Sequence, residues 1–439
     1  MLFRSRYNIV APIPGDDRGR IAVLNLLRNS CRAYAPFELA AMGMLDELPA
    51  GHPAVERLAR RGLVVNFDER AAFELMSRAA AAGGRRADLT ICPTMGCNFD
   101  CPYCFEDHVP GRMAPEVQDD VVALAGRMLD ASGAKLLHVA WYGGEPLLMP
   151  DIIEGLSGRL IELAEGRGAA YGAHIITNGY LLTADVAAML GRARVEYAQV
   201  TLDGVGAAHD ATRHLAGGGP TFERIVENIS RPGLPFEVLL RQNVHERNLD
   251  QVEAVRDLCE DICAASGNRV RHAAQLLFDN DRSAARCDSV AAVSGEGAAD
   301  MLLELGRLPT GCRPHPCGAG NLWEVAVDPR GRLYKCWEVV DKPQFAFGRA
   351  RDWDPADPVY TAAEADKLAC YLNLAAPQNH EECAECLWLP LCAGGCPHQR
   401  LLGNGRDCLP YKDRPVEYAL ARLRMQRAAE AGDAAKVQE

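Results

Sequence analysis

Cysteine placement constrains this chain more than any other feature. Of its 17 cysteines, three fall close together in Cys97-Asn98-Phe99-Asp100-Cys101-Pro102-Tyr103-Cys104. Eight more crowd the carboxyl third, at Cys312, Cys317, Cys336, Cys383, Cys386, Cys392, Cys396 and Cys408. The amino end, Met1-Leu2-Phe3-Arg4-Ser5-Arg6 and then Pro12, Pro14 and Asp16, has no long apolar run. It therefore reads as lacking a signal peptide, and the chain is expected in the cytoplasm. In a reduced compartment these spacings point to metal ligation rather than disulfides. The other six, Cys31, Cys92, Cys259, Cys263, Cys287 and Cys370, read as small buried side chains.

With 439 residues, 48% hydrophobic and 24% charged, the chain is long enough for two or three domains. No apolar stretch is long enough to span a bilayer, so no membrane association is expected. A net charge of −12 repels phosphate backbones and argues against nucleic acid as a partner. Residues 1–84 go the other way, with 11 Arg against 9 Asp and Glu. A slightly basic head suits an acidic partner.

The apolar pattern divides the chain. Residues 7–13 and Ile21–Leu27 flank a polar turn and predict a hairpin; helices are expected over 35–48, 53–61 and 68–82, with a short strand at Leu63–Asn66. Together they read as a winged-helix-like unit over 1–84. Between 87 and 290, apolar runs at Leu89–Cys92, Leu137–Trp141, His174–Thr177, Tyr197–Leu202, Phe236–Leu240 and Gln275–Phe278 alternate with candidate helices at 115–131, 151–165, 183–190, 221–229 and 249–266. That rhythm predicts an α/β fold with a helix-wrapped parallel sheet. Residues 305–415 are rich in Cys, Gly and Pro, with brief strands at Trp323–Val327 and Leu333–Tyr334; metal clusters rather than an apolar core would hold such a region. Residues 416–439 read as a terminal helix.

Three thiolates at the spacing of Cys97, Cys101 and Cys104 can hold three irons of a [4Fe–4S] cubane and leave the fourth open for a substrate or cosubstrate. Zinc would want a fourth ligand, and the nearest histidine, His108, lies outside the triplet.

This Cys-x3-Cys-x2-Cys pattern, with Tyr103 before its last cysteine, resembles the signature of the radical S-adenosylmethionine (SAM) superfamily. The resemblance extends along residues 87–280 and implies a partial (β/α)6 TIM-like barrel. Gly143-Gly144-Glu145-Pro146 looks like the family segment that engages the SAM amine, although a glycine turn capping a strand would look the same. Thr177-Asn178 and Thr201-Leu202-Asp203 end later strands, where the family surrounds SAM. Tyr103 is expected beside the adenine or against the cluster loop. Arg213 and Arg241 are candidates for the SAM carboxylate or for surface salt bridges. The implied chemistry is reductive cleavage of SAM to methionine and a 5′-deoxyadenosyl radical, with an electron donor such as flavodoxin or ferredoxin.

The carboxyl cysteines resemble the SPASM auxiliary-cluster pattern of peptide-modifying radical SAM enzymes. Carried over, the resemblance implies one [4Fe–4S] cluster on Cys312, Cys317, Cys336 and Cys396 and another on Cys383, Cys386, Cys392 and Cys408, three clusters in all. Cys312 lies outside the seven-cysteine core of the motif; without it the inner cluster has an open iron.

Two subfamilies fit, the maturases of ribosomally made peptides and the anaerobic sulfatase maturases. The latter carry an Asp base directly after the cysteine matching Cys336, where this chain has Trp337 and then Glu338. Indole cannot accept a proton, which leaves Glu338 or Asp281 as candidate bases. The amino-terminal unit resembles leader-recognition modules, which add a peptide as a strand to a sheet edge. The expectation is a peptide maturase that binds the leader of a precursor and installs an oxidative crosslink, thioether or C–C/C–O. Formylglycine formation on a sulfatase, action on a small metabolite, and a non-catalytic iron–sulfur scaffold are the alternatives.

Overall fold

The computed structural model describes residues 2–49, 51–277, 295–304, 308–404 and 408–436; Asp281 and Cys287 lie outside the described residues. The chain forms two compact units. One comprises Met1–Ala82, Ser294–Asn321 and Tyr371–Glu439, the other Gly83–Val293 and Leu322–Cys370.

The second unit is built on six parallel strands in sequential order: β6 (Ala87–Ile91), β7 (Leu136–Trp141), β8 (Ala170–Thr177), β9 (Val195–Thr201), β10 (Glu237–Val244) and β11 (Val270–Leu276). Each connection carries a helix, as parallel neighbours require. Helix α4 (Pro115–Ser132) begins with Pro in its first turn and ends at the left-handed Gly133; α6 (Ala184–Arg192) is capped by the Thr183 hydroxyl accepting from Val186 N. Every residue of β6 is buried, as expected of a strand covered on both faces.

Two features of this sheet differ from the pattern read in the sequence. Strand β11 begins at Val270 rather than Gln275, since α9 (Gln251–Ser266) stops at the left-handed Gly267 and the chain turns straight into the sheet. The brief strands of the cysteine-rich stretch, β12 (Glu324–Val327), β13 (Arg332–Tyr334) and β14 (Gly348–Arg349), extend the main sheet past β6. β12 pairs parallel to β6, and β13 and β14 follow antiparallel, which makes the sheet mixed.

The first unit contains an antiparallel sheet of β2 (Asn8–Pro12), β3 (Ile21–Asn25) and β4 (Ser30–Tyr34). The hairpin matches expectation. β4, Ser30-Cys31-Arg32-Ala33-Tyr34, carries little apolar alternation and is fixed by pairing along β3, from Ile21 opposite Tyr34 to Asn25 opposite Ser30. Alternation along β3 sends Ala22 and Leu24 into a core with Trp388, Tyr411, Tyr418 and Leu423, and Val23 into another with Met42, Val55 and Leu58. The first core joins the amino-terminal sheet to the terminal helix, which runs Pro415–Lys436. Trp388 meets Tyr411 and Tyr418 edge-on at centroid distances of 5.4 and 5.0 Å. Among the described residues no helix is long and apolar enough to cross a membrane.

Candidate functional site

The cysteine triplet follows β6 on an irregular loop. Asp100 N donates to His214 O (3.1 Å) and Ala216 N to Asn98 O (2.9 Å), so main-chain bonds to the segment after β9 pin the loop. Burial pushes the Cys97 and Cys104 thiols up to about 12, and Cys101 upward as well; the thiols lie within electrostatic reach of one another. Cys104 Sγ stands 3.2 Å from His108 Nε2.

The Gly143-Gly144-Glu145 turn after β7 packs directly on this loop. Gly144 N donates to Thr94 O (3.3 Å) and Glu145 N to Gly96 O (2.9 Å). A Cβ on Gly143 (φ 116°) would stand 2.2 Å from Thr94 O, and one on Gly144 2.3 Å from Met95 O. Two glycines are therefore required for one loop to lie on the other. Glu145 is fully buried, and its carboxylate accepts from Leu147 N (2.9 Å), Thr177 Oγ1 (2.8 Å) and Asn178 N (2.7 Å). Burial raises its pKa, while these three donors favour the charged form. Pro146 opens the turn that follows. Asn178 completes the connection, donating through Nδ2 to Asn98 Oδ1 (2.8 Å).

Tyr103 is the second hub. Its hydroxyl donates to Asp203 Oδ2 (2.7 Å) and accepts from Arg213 Nη1 (2.8 Å) and Asn243 Nδ2 (3.3 Å). Thr212 donates to the same Asp203 oxygen (2.7 Å), and Arg241 Nε donates to Asn243 Oδ1 (3.0 Å). Thr201 is buried at the end of β9, opposite Arg241 of β10. Cys101, Tyr103, Asp203, Arg213 and Arg241 are thus drawn to one place at the carboxyl ends of β6, β9 and β10. Asp203 Oδ1 and Arg213 Nε are buried there without a hydrogen-bond partner among the described residues.

Sequence reasoning missed Glu106, two residues past Cys104. It is buried, its pKa is pushed up to about 8 by burial, and its side chain bonds that of Tyr142, the residue just after β7. Its only signal in the sequence is a carboxylate beside a cysteine. Tyr142 in turn packs against Trp337, ring centroids 5.1 Å apart. Glu338, half-buried beside Trp337, sits on the one-turn helix Trp337–Val339 that follows Cys336.

Of the carboxyl cysteines, Cys383, Cys386, Cys392 and Cys408 line a single small cavity with Glu382, Leu389, Gly394, Arg400 and Lys412. The chain reverses after Cys392 through three left-handed residues, Ala393, Gly394 and Gly395. Arg400 donates to Cys383 Sγ (3.0 Å) and to Gly394 O (2.8 Å). Cys312, Cys317 and Cys396 belong to the same unit, whereas Cys336 belongs to the other.

Both cysteine sets suit iron–sulfur ligation in chemistry. The triplet, with Cys101 buried and Cys97 and Cys104 partly so, lies beside orphaned polar atoms that a polar cosubstrate would satisfy, and the quartet meets a cation that favours thiolate. Among the described residues no three His, Cys, Asp or Glu side chains close on a single metal ion. In a cubane each thiolate takes a different iron, so its ligands stand apart.

The radical SAM superfamily profile matches residues 91–231. Mycofactocin maturase MftC of Mycolicibacterium smegmatis is 26% identical over 71% of this chain and 79% of its own length. PqqA peptide cyclase of Gluconobacter oxydans is 26% identical over 74% of this chain and 92% of its own. The serine-type anaerobic sulfatase-maturating enzyme of Klebsiella aerogenes is also 26% identical, over 77% and 89%. Among solved structures, anSMEcpe with bound AdoMet superposes with a TM-score of 0.59 at 19% identity, covering 78% of this chain and 99% of that one. Streptococcus suis SuiB bound to S-adenosylmethionine covers 92% of this chain and 97% of its own at a TM-score of 0.51 and 14% identity. At such identities the structural likeness is one of fold. The superfamily match falls on the region that carries the triplet, the glycine turn, Asp203 and Arg213, and the relatives align well beyond it: this chain carries a radical SAM catalytic domain, and its carboxyl cysteines follow a SPASM-like pattern.

Proposed function

We propose that this enzyme is a peptide maturase that binds the leader of a ribosomally made precursor through its amino-terminal unit and installs an oxidative crosslink, thioether or C–C/C–O, in the core. The observation that carries the reading is the convergence of Cys383, Cys386, Cys392 and Cys408 on one cavity whose lining includes none of the triplet. Hydrogen abstraction followed by bond formation leaves a substrate radical with one electron to lose, and a second cluster gives that electron a destination. Two relatives, a mycofactocin maturase and a PqqA peptide cyclase, point the same way.

The geometry supports the following residue roles. Cys97, Cys101 and Cys104 would hold the SAM-binding cluster, and Cys383, Cys386, Cys392 and Cys408 one auxiliary cluster; Cys312, Cys317, Cys336 and Cys396 remain the candidates for another. Bound at the triplet, a reduced [4Fe–4S] cluster supplies the electron that cleaves SAM. Glu145 serves as a positioning residue, since its three hydrogen bonds fasten the glycine turn to Thr177 and Asn178. Asp203 and Arg213 hold Tyr103 in place and offer their remaining polar atoms to a ligand. A flavodoxin or ferredoxin would deliver electrons, and the cytoplasm is the fitting compartment.

Sulfatase maturation is the second reading, favoured by the Klebsiella aerogenes relative. It requires a base beside Cys336, where Trp337 packs on Tyr142 and only Glu338 is at hand.

The deciding experiment is anaerobic incubation of the reconstituted enzyme with SAM, reductant and the short peptide encoded beside it, read by high-resolution mass spectrometry. Loss of two hydrogens per linkage, mapped to residue pairs by fragmentation, is the expected result. An unchanged peptide alongside 5′-deoxyadenosine, with formylglycine formed on a sulfatase-derived peptide, would replace this reading with the second.

A further inference from the structure

The first unit contains a cleft of about 410 Å³ that plays no part in either cysteine set. It is lined by the turn and strand residues Asn29, Ser30, Cys31 and Arg32, by Thr310, and by Arg422, Met425 and Gln426 of the terminal helix. Arg422 dominates it. This side chain is only 9% exposed, and its hydrogen-bond partners are all neutral: Asn29 Oδ1 (3.0 Å), Tyr418 OH (3.4 Å) and Pro309 O (3.5 Å). Among the described residues no carboxylate pairs with it.

A buried guanidinium without a counter-ion is costly, and not every buried arginine in this protein bears that cost. Arg332, also largely buried, lies between Asp328 and Asp341. Around Arg422 the charges are cationic. Arg32 is exposed on the lining, and Arg422 and Arg427 are the two charged groups acting on the Cys31 thiol. The nearby Glu430 carboxylate accepts from Gln426 Nε2 (2.9 Å) and pairs with neither arginine. Neutral donors, the Ser30 and Thr310 hydroxyls, complete the lining, and Met425 gives it an apolar wall.

We infer that this cleft is an anion-binding site that takes a carboxylate side chain of an acidic peptide, with Arg422 as its central donor. A guanidinium presents paired N–H groups to a carboxylate, and a cleft of this size holds the rest of a Glu or Asp side chain with its neighbours. That the anion belongs to a peptide rests on the maturase reading; that the cleft takes an anion does not. The site lies within the unit that contains residues 1–82, the slightly basic portion of an otherwise acidic chain.

The test uses the reconstituted holoenzyme and fluorescence anisotropy with a short fluorescein-labelled peptide alternating Glu and Ser, its Gln-for-Glu counterpart, and inorganic phosphate as competitor. The Glu peptide is expected to bind and the Gln peptide to bind at least about tenfold more weakly, the factor for losing charge-assisted hydrogen bonds. Arg422→Gln should erase the difference between the peptides, and Arg422→Lys should restore part of it. Peptide-independent formation of 5′-deoxyadenosine should stay at the wild-type rate in both variants. If Arg422→Gln does not fold, Arg32→Glu on the exposed rim carries the test, with several-fold weaker binding expected. Equal affinity for the two peptides, or Glu-peptide binding unmoved by Arg422→Gln and by Arg32→Glu, would overturn the proposal. Binding of neither peptide would remove the peptide as occupant and overturn the proposal, and Glu-peptide binding left in place by excess phosphate would put the peptide outside the cleft's anion site. The two readings fail separately: a Glu peptide held by Arg422 in an enzyme that crosslinks nothing leaves the cleft and ends the maturase, and the converse ends the cleft alone.

Discussion

The two cysteine sets differ in what surrounds them. The triplet at Cys97–Cys104 sits on a loop already fixed by protein contacts: main-chain bonds to Leu215 and its neighbours, a glycine turn pressed against residues 94–96, and Tyr103 locked by three polar partners. In the quartet at Cys383–Cys408, Cys383 and Cys392 sit on one-turn helices, Glu381–Ala384 and Leu389–Cys392, a left-handed reversal follows Cys392, and Cys386 and Cys408 lie on irregular chain. Secondary structure contributes little there, so metal ligation has more to supply. A reaction site needs its geometry before the cosubstrate arrives, whereas an electron-transfer site needs only to keep its cluster.

The sharpest way to break this comparison is to delete one thiol from each set. Cys97→Ala is expected to abolish 5′-deoxyadenosine formation, measured by liquid chromatography of anaerobic reactions. Cys392→Ala should leave a measurable fraction of that cleavage and remove crosslinked peptide. A well-folded Cys392→Ala enzyme that still makes product would leave the quartet without a role in the chemistry.

Removal of the clusters by chelation and reduction should separate the two regions next. In the apo-protein, amide protection is expected to collapse across residues 383–404 and to persist in β6–β10, as followed by hydrogen exchange. Equal loss in both regions would show that the triplet loop depends on metal as much as the quartet does.

The fixed character of the triplet loop can be tested through Glu145. Replacing Glu145 by Gln keeps the shape but turns an amide NH₂ toward a donor, either Asn178 N or the pair Leu147 N and Thr177 Oγ1. A cost of about 2–3 kcal/mol in unfolding free energy is expected from lost charge-assisted bonds, read by chemical denaturation. A change below about 0.5 kcal/mol, the range of surface substitutions, would show that the turn is held by other contacts.

The smallest expected effect lies within the β-sheet. His174 of β8 stacks between His138 and Tyr197, and Asp88 reaches His138 Nδ1 at 3.1 Å, with Arg86 beyond it. Burial first, and the neighbouring His138 second, pull the His174 pKa from 6.5 down to about 4. The folded state therefore binds this proton less readily than the unfolded chain, and stability is lost as pH falls through 6.5 toward 4. A decline of about 2 kcal/mol from pH 8 to about pH 5 is expected, flattened in His174→Gln. A flat profile in the unsubstituted protein would sink this assignment. His174 lies in the unit built on the parallel strands, so the decline should appear in that unit's unfolding.

Much of this was legible in the chain itself. Cys97-x3-Cys101-x2-Cys104 with Tyr103, the glycine turn at 143–146 and the strand-end motifs at Thr177 and Asp203 are local patterns in the right order, and the structure brings them together at the carboxyl ends of β6 to β9. The β12 strand read as part of the cysteine-rich region instead pairs with β6, because a four-residue run gives no clue to its partner. β4 went unseen because its small and polar residues are set by pairing rather than by pattern.

Sequence alone therefore determined the chemistry on offer: which thiols are spaced for iron, where strands end, which segment is basic. Tertiary structure decided which groups meet. It turned Glu145 inward onto Thr177 and Asn178, made the Tyr103 hydroxyl a junction for three side chains, placed Glu106 beneath Tyr142, and set Arg422 opposite Asn29, some four hundred residues away along the chain, in a cleft without a carboxylate. Spacing along a chain records local ligation and turn geometry. Contacts between distant side chains depend on how sheets and helices close, and that information is spread over the whole fold.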